Sequence, residues 1–246
     1  MKERIFFLSG DSPALDFAAK TLTKRGLKVV DTPTSAVTHL LLDTPCRYSQ
    51  DQLQQVISPL DPHVKIFGGF LNLPQDQYRC YDLLKNEEYL ARNARITAQC
   101  AIGIAQRRMS ITWDGCPVLI LGWGRIGKCL GQLLKGLGAE VVIAARRPGH
   151  RAMAKALGLE ADGMDFPGYA LGRYRGIFNT VPAPVLSSTQ QAFCRPECLK
   201  IDLASQQGIQ GEDVLIARGL PGKEAPASSG RLIAETVLKL CAEKES

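Results

Sequence analysis

The chain is poor in the residues that most often carry protein chemistry. It has three histidines, His39, His63 and His150, and none sits in the pattern by which a 2-hydroxy-acid dehydrogenase takes a hydroxyl proton. Its eight cysteines (46, 80, 100, 116, 129, 194, 198 and 241) form no C-x-x-C, and Cys194 and Cys198 have no second Cys or His pair nearby. A metal site is therefore not expected, and the cysteines read as buried small apolar residues or free thiols of a reducing cytoplasm. No apolar run approaches the roughly 18–20 residues that span a bilayer, so no membrane partner is expected. The opening MKERIFFLSG has only a short apolar run before Gly10-Asp11, which reads as a first strand rather than a targeting segment. Arg and Lys occur in short pairs such as Arg107–Arg108 and Arg146–Arg147, not in the dense, aromatic-laced face of a nucleic-acid binder.

What is present suits a globular enzyme. Of 246 residues, 45% are hydrophobic, enough for a substantial core in one large or two small domains. The net charge of +6 favours an anionic cofactor and an anionic substrate by steering.

The most informative stretch is PVLILGWGRIG, residues 117–127. Pro117–Leu121 reads as a buried strand, and the apolar spacing from Ile126 to Leu137 as a helix, so the G-x-G-x-x-G between them has the strand–turn–helix setting it requires. Gly122 allows the tight turn, Gly124 lets backbone approach a pyrophosphate, and Gly127 lets the helix pack close on the strand. With Trp123, Arg125 and Ile126 these make a candidate phosphate loop at a helix N-terminus, whose free N–H groups and dipole favour anions. The other reading is a tight glycine turn that binds nothing. A second strand, Glu140–Ala145, completes a βαβ unit and ends at Ala145-Arg146-Arg147. An NAD-preferring site carries an acidic residue there for the ribose 2′-hydroxyl. Two arginines instead suit a 2′-phosphate, so NADP is expected as cofactor, with NAD as the alternative.

The remaining chain alternates strand and helix. Before the motif, strands are expected at 4–9, 27–30, 38–42 and 64–67. One helix is capped by Asp11 or Ser12, and another, 50–57, by Ser49. A long amphipathic stretch covers 81–109. After the motif come a helix at 151–157, a strand near Gly163, strands at 176–179, 199–203 and 214–217, and a closing helix at 229–240. Gly219-Leu220-Pro221-Gly222 reads as a tight turn. The loops at 180–184, 204–208 and 218–223 leave the C-terminal strand ends, where such sheets bind ligands. They add Thr180, Val181, Pro182, Ala204 and Ser205 to the candidate cofactor site. Candidates for holding an anionic substrate are Gly10, Asp11, Arg95, Gly219, Pro221 and Lys223. No residue is assigned as catalytic.

The fold class expected is α/β, two Rossmann-like doubly wound domains with parallel sheets, joined by a long connector helix, the C-terminal helix packing back toward the first domain. The boundaries are a flavodoxin- or Rossmann-like substrate domain at 1–84, the connector at 85–109, the dinucleotide-binding domain at 110–226 and the C-terminal helix at 227–246.

Five motifs in one order, LILGWGRIGK, AARR, IFNTVPAPVL, KIDLASQQG and GLPGKEAP before a closing helix, resemble the dipicolinate synthase A family. NEEYLARNARITAQCAI resembles its connector helix, and the resemblance covers about residues 85–242. It implies an NADP-dependent oxidoreductase, a homodimer, that turns a dihydrodipicolinate-type dicarboxylate into dipicolinate during sporulation, and whose partner is a flavoprotein-like second subunit. It also places Thr97 at the substrate or nicotinamide. Two positions depart from the family pattern. Gln99 stands where T-x-E-G-A has its acid, and Gln206 where R-P-G-G has its arginine. The alternatives are therefore a catalytically idle paralogue that binds dinucleotide and senses it or holds a partner, or a dehydrogenase of another small cyclic imine or keto acid.

Overall fold

Short apolar strands pair in parallel here, because a helix or a long loop carries the chain back along the sheet before the next strand begins. A computed structural model of the chain describes residues 3–74, 76–165 and 167–243. It divides into two compact units, one running to Asn93 and resuming at Pro221, the other Ala94–Leu220.

The first unit contains β1 (Ile5–Ser9), α1 (Pro13–Lys24), β2 (Lys28–Val30), β3 (His39–Leu42), α2 (Gln50–Ile57), β4 (Lys65–Gly68) and β5 (Arg79–Asp82). Its sheet has the order β2-β1-β3-β4-β5 with every pairing parallel. Ser12 caps α1, its hydroxyl accepting from Leu15 N–H, and Pro13 opens the helix where no N–H is needed. Ser49 and Gln52 form a reciprocal capping box on α2. His39 is a core residue: its ring stacks on Phe6 at 4.6 Å, and its Nδ1 meets the Thr38 hydroxyl at 2.7 Å. Strand β5 was not expected, because Arg79-Cys80-Tyr81-Asp82 has no apolar alternation. It is held by backbone pairing to β4 and by Tyr81 stacked on Phe67 at 4.6 Å.

The long helix α3 runs Glu87–Gln106, shorter than the expected 81–109. Asn86 sets its start, its side chain accepting from Tyr89 N–H at 2.8 Å, while Asp82 accepts from Leu84 N–H and turns the chain beforehand.

The second unit contains β6 (Pro117–Leu121), α4 (Arg125–Gly136), β7 (Glu140–Ala144), α5 (Pro148–Ala156), β8 (Glu160–Asp162), β9 (Gly176–Asn179), a short α6 (Ser188–Gln191), β10 (Leu199–Asp202) and β11 (Val214–Ile216). The sheet order is β11-β10-β9-β6-β7-β8, all parallel. Renumbered from its own first strand this is 6-5-4-1-2-3, the doubly wound dinucleotide-binding order with its reversal between β6 and β9. The expected turn at 219–222 differs. Gly219 bends at φ +67°, and the chain then enters a helical turn, α7 (Leu220–Glu224), before α8 (Pro226–Ala242). Prolines at 221 and 226 lie at positions that a helix start tolerates, which is why a turn signal and a helix coexist there.

α8 returns to the first unit and packs along α1. Gly230 makes this close: a Cβ there would overlap Ala14 O and lie 2.6 Å from Phe17 Cβ. Gly230→Ala is expected to cost about 1–3 kcal/mol by overpacking. Gly136→Ala, whose added Cβ meets nothing within 4 Å, is expected to add about 0.5–1 kcal/mol. Urea denaturation of the two variants checks the contrast.

Candidate functional site

The site grows from the end of β6. Gly122 adopts φ +104°, and a Cβ there would lie 2.5 Å from Thr180 Oγ1 and 2.8 Å from Val181 Cγ2. Only glycine meets both constraints. Its N–H donates to Ala144 O at 2.9 Å. Thr180 is stapled to the same strand end: its N–H and its hydroxyl both donate to Leu121 O, at 2.9 and 3.0 Å. Gly127 brings α4 against the turn, since a Cβ would overlap Gly122 O. The three sequence-read elements at 122, 127 and 180 are thus one packed corner.

Gly124 has the opposite surroundings. It is the N-cap of α4 at φ −80°, ψ −169°, no side chain caps the helix, and an added Cβ would meet nothing within 4 Å. A 12-residue helix therefore presents uncapped N–H groups through an open glycine, which is the cradle that a diphosphate requires. Arg125 is exposed, Ile126 half-buried and Trp123 buried, its Nε1–H without a hydrogen-bond partner.

β7 delivers the next group. Ala145 N–H donates to Asp162 O at 3.0 Å, and Arg146 and Arg147 stand exposed just beyond. The sequence reading missed Arg151. It lies one turn into α5, and its guanidinium donates to Ala145 O at 2.9 Å and Arg146 O at 2.7 Å. It fixes the path of the two arginines and adds a third cation, and the only signal was its position four residues after Arg147.

A second missed feature supports the loops after β9 and β10. Asn179 and Asp202, the last residues of those strands, are fully buried. Asn179 donates to Asp202 at 2.9 Å and to Val181 O, and accepts from Val181 N–H. The Asp202 carboxylate accepts also from Ala204, Gly208 and Ile209 N–H at 2.8–3.0 Å. Gly208 fits beneath because a Cβ would lie 2.5 Å from both Ala183 O and Asn179 Nδ2. This network orders the loops that begin at Thr180-Val181-Pro182 after β9 and at Ala204-Ser205 after the neighbouring β10. Buried polar ends of two apolar strands were the available sign.

The substrate candidates fall in both units. Gly10, Asp11, Pro221 and Lys223 belong to the first unit, and Arg95, Thr97 and Gly219 to the second. The Gly10 turn already holds a carboxylate of the chain. Asp43, just past β3, accepts from Asp11 N–H at 2.9 Å and from the Ser12 hydroxyl, and a Cβ on Gly10 would overlap it. Thr97 is buried on α3, and Arg95 is exposed. Burial pushes the Cys129 thiol on α4 up, and the Arg95 charge opposes that shift, which puts Arg95 near the first half of α4. Gln99 lies elsewhere, in a surface groove with Gln132, Leu133, Gly136 and Leu137 toward the far end of α4. Gln206 is exposed. Among the described residues no group of three or more His, Cys, Asp or Glu is placed to hold a metal ion, and no helix is long and apolar enough to cross a membrane.

No protein-family model matches the chain. It is 30% identical over 195 residues to dipicolinate synthase A of Bacillus subtilis (strain 168), a match taking in 74% of this chain and 66% of that protein. The chain thus spans about two thirds of the length of that relative. The crystal structure of dipicolinate synthase A from Bacillus halodurans has the same fold, with a TM-score of 0.80 and 23% identity over 98% of each chain. The apo-structure of D-lactate dehydrogenase from Escherichia coli matches at a TM-score of 0.57 and 15% identity, over 98% of this chain and 97% of that one.

Asp202→Ala leaves several buried donors unanswered and is expected to cost about 3–5 kcal/mol. Asp202→Asn also destabilises, since an amide NH₂ then faces N–H groups. Guanidinium denaturation checks both, and a loss under about 1 kcal/mol for Asp202→Ala would contradict the network's role.

Proposed function

The chain belongs to the dipicolinate synthase A family, and on that premise we propose that it is an NADP-dependent oxidoreductase oxidising a dihydrodipicolinate-type dicarboxylate to dipicolinate. One observation carries the reading: an uncapped helix start behind the open face of Gly124, with arginines rather than an acid at the end of β7.

The nicotinamide, when bound, accepts the hydride. The chain's own part is to bind and orient. The first N–H groups of α4 would hold the diphosphate, and Arg146 and Arg147, steadied by Arg151, would meet the 2′-phosphate. Thr180, Val181, Pro182, Ala204 and Ser205 would serve the rest of the dinucleotide. A dihydropyridine ring becomes aromatic on losing hydride and a proton, so little acid–base help is demanded of the protein. That is consistent with a core histidine at 39 and no assigned catalytic residue. Residues 1–84 are assigned to substrate and 110–226 to the dinucleotide. The same reading takes the protein as a cytoplasmic homodimer that works with a flavoprotein-like second subunit in sporulation.

A second reading, a dinucleotide-binding paralogue that does not turn over this substrate, draws on one observation. Asp43 fills the Gly10 turn with negative charge, where a dicarboxylate was expected to be held, and Gln206 offers no cation in its place. Assay of the purified chain with NADP and dihydrodipicolinate made in situ, with and without the flavoprotein-like partner, separates the two: turnover removes the idle reading.

NADPH is expected to raise the melting temperature more than NADH does; at a hundredfold excess over its Kd it adds about 2.7 kcal/mol of stability. The double variant Arg146→Ala/Arg147→Ala is expected to weaken NADPH by about 2–3 kcal/mol while leaving NADH nearly unchanged. Equal shifts for the two cofactors would remove the NADP preference.

A further inference from the structure

The loops that leave β9, β10 and β11 at the carboxyl ends of the second sheet carry a single charge. Residues 180–184 after β9 read Thr-Val-Pro-Ala-Pro, residues 204–208 after β10 read Ala-Ser-Gln-Gln-Gly, and β11 is followed by Ala217, Arg218 and Gly219. The backbone on either side of Arg218 is fixed. β11 pairs with β10 with Ile216 opposite Asp202, and Ala217 N–H extends the ladder by donating to Asp202 O at 2.8 Å. Ala217 and Leu220 are buried, and Gly219 turns the chain at φ +67°. Arg218 itself is exposed, and its Nε donates to Ala204 O at 3.1 Å in the loop after the neighbouring strand.

That bond leaves the outer end of the side chain available. With Nε–H given to a carbonyl, the two Nη groups still form a fork that matches the two oxygens of a carboxylate. Arg92, Arg173 and Arg175 are each ion-paired with a glutamate, whereas among the described residues Arg218 has no carboxylate partner. The position also separates this cation from the phosphates of the proposed cofactor. Ala204 follows β10, which lies two strands from β6 and three from β7, roughly 10 and 14 Å across the sheet. The helix start at Gly124 follows β6, and Arg146 and Arg147 follow β7.

We propose that Arg218 is a substrate-binding residue, its Nη fork taking a carboxylate of the substrate beside the ends of β10 and β11. The assignment rests on the reading of the substrate as a dicarboxylate. The three loops bring no second charge of either sign, so one cation sets the local field and draws a carboxylate to this end of the sheet. Its stem is held in advance. Ala204, whose carbonyl takes the Nε–H, donates its own N–H to Asp202 at 3.0 Å, so the guanidinium is tied to the buried network that orders both loops. Fixing the stem beforehand lowers the side-chain entropy lost when the fork closes on its ligand. Gln206, two residues further along the β10 loop, is exposed and uncharged, and the cation comes from the adjacent strand instead.

Calorimetric titration of dipicolinate, the product of the proposed reaction, into the full chain saturated with NADP tests this without turnover. Arg218→Gln is the deciding variant. Its amide nitrogen stands where Nε stood, so it keeps a donor for Ala204 O while the charge and the fork are removed. Dipicolinate is expected to bind this variant about ten- to hundredfold more weakly than the parent. Arg218→Lys, which keeps the charge without the fork, should lose less, and NADPH titrated into the unliganded proteins should bind all three within about twofold. Circular dichroism melts show that each variant folds. If the arginine only pins the loop, Arg218→Gln binds dipicolinate as the parent does, and the proposal is overturned. An equal loss of NADPH and dipicolinate affinity in Arg218→Gln overturns it as well. A parent that binds NADPH but no dipicolinate removes the dicarboxylate reading and this assignment with it. A parent that binds both, beside an unaffected Arg218→Gln, removes the assignment alone.

Discussion

The second unit depends on a backbone approach that side chains would prevent. At the corner where β6 ends, α4 begins and β9 finishes, the carbonyl of Gly122, the Cα of Gly127 and the side chain of Thr180 share a volume with no room for another methyl group. Glycine at 122 and 127 lets the helix start directly above the strand ends. That placement sends the helix's unsatisfied N–H groups out at the sheet's reversal rather than into the core. Gly124 sits on the outer side of the same turn, where the space is open. Close packing on one side and vacancy on the other, within six residues, make an anion cradle from a fold element.

A second constraint acts on the loops facing that cradle. Loops at strand ends are ordinarily the mobile part of such a sheet. Here Asp202 gathers the N–H groups of residues 204, 208 and 209, and Asn179 ties it to Val181. A fully buried carboxylate is costly unless its lone pairs are answered, and here they are. The cost of the network is met by order in the segments that face the nicotinamide end in the proposed reading. The corner at Gly122 and the network at Asp202 meet at Thr180 and Val181, so a fault in either displaces the same residues.

The parts of this arrangement that follow local chemistry were readable from the residues. The turn from β6 into α4 announced itself by three glycines between an apolar strand and an apolar-faced helix, and the α2 cap by Ser49 with Gln52. What was hidden depends on partners far along the chain. β5 has no pattern of its own and exists because β4 offers an edge. Asp43 was invisible as the occupant of the Gly10 turn, because 31 residues separate it from Ser12. Asn179 and Asp202 are ordinary in sequence and become legible only when their strands lie side by side. Gln99, which stands where the family's T-x-E-G-A has its acid, lies in a groove with the far end of α4, since helical phase rather than motif order decides where a side chain points.

Calorimetric titration of NADP into the Gly124→Val variant tests the central claim most directly, because the open face of residue 124 lets fold and binding be read apart. The backbone there is compatible with any residue and an added Cβ meets nothing within 4 Å, so the unliganded variant should fold, its stability lowered by only about 1 kcal/mol for the poorer N-cap. If the start of α4 is where the diphosphate rests, the same side chain occupies that space and heat of binding should be lost. Undiminished NADP affinity in a fully folded Gly124→Val protein would contradict the account.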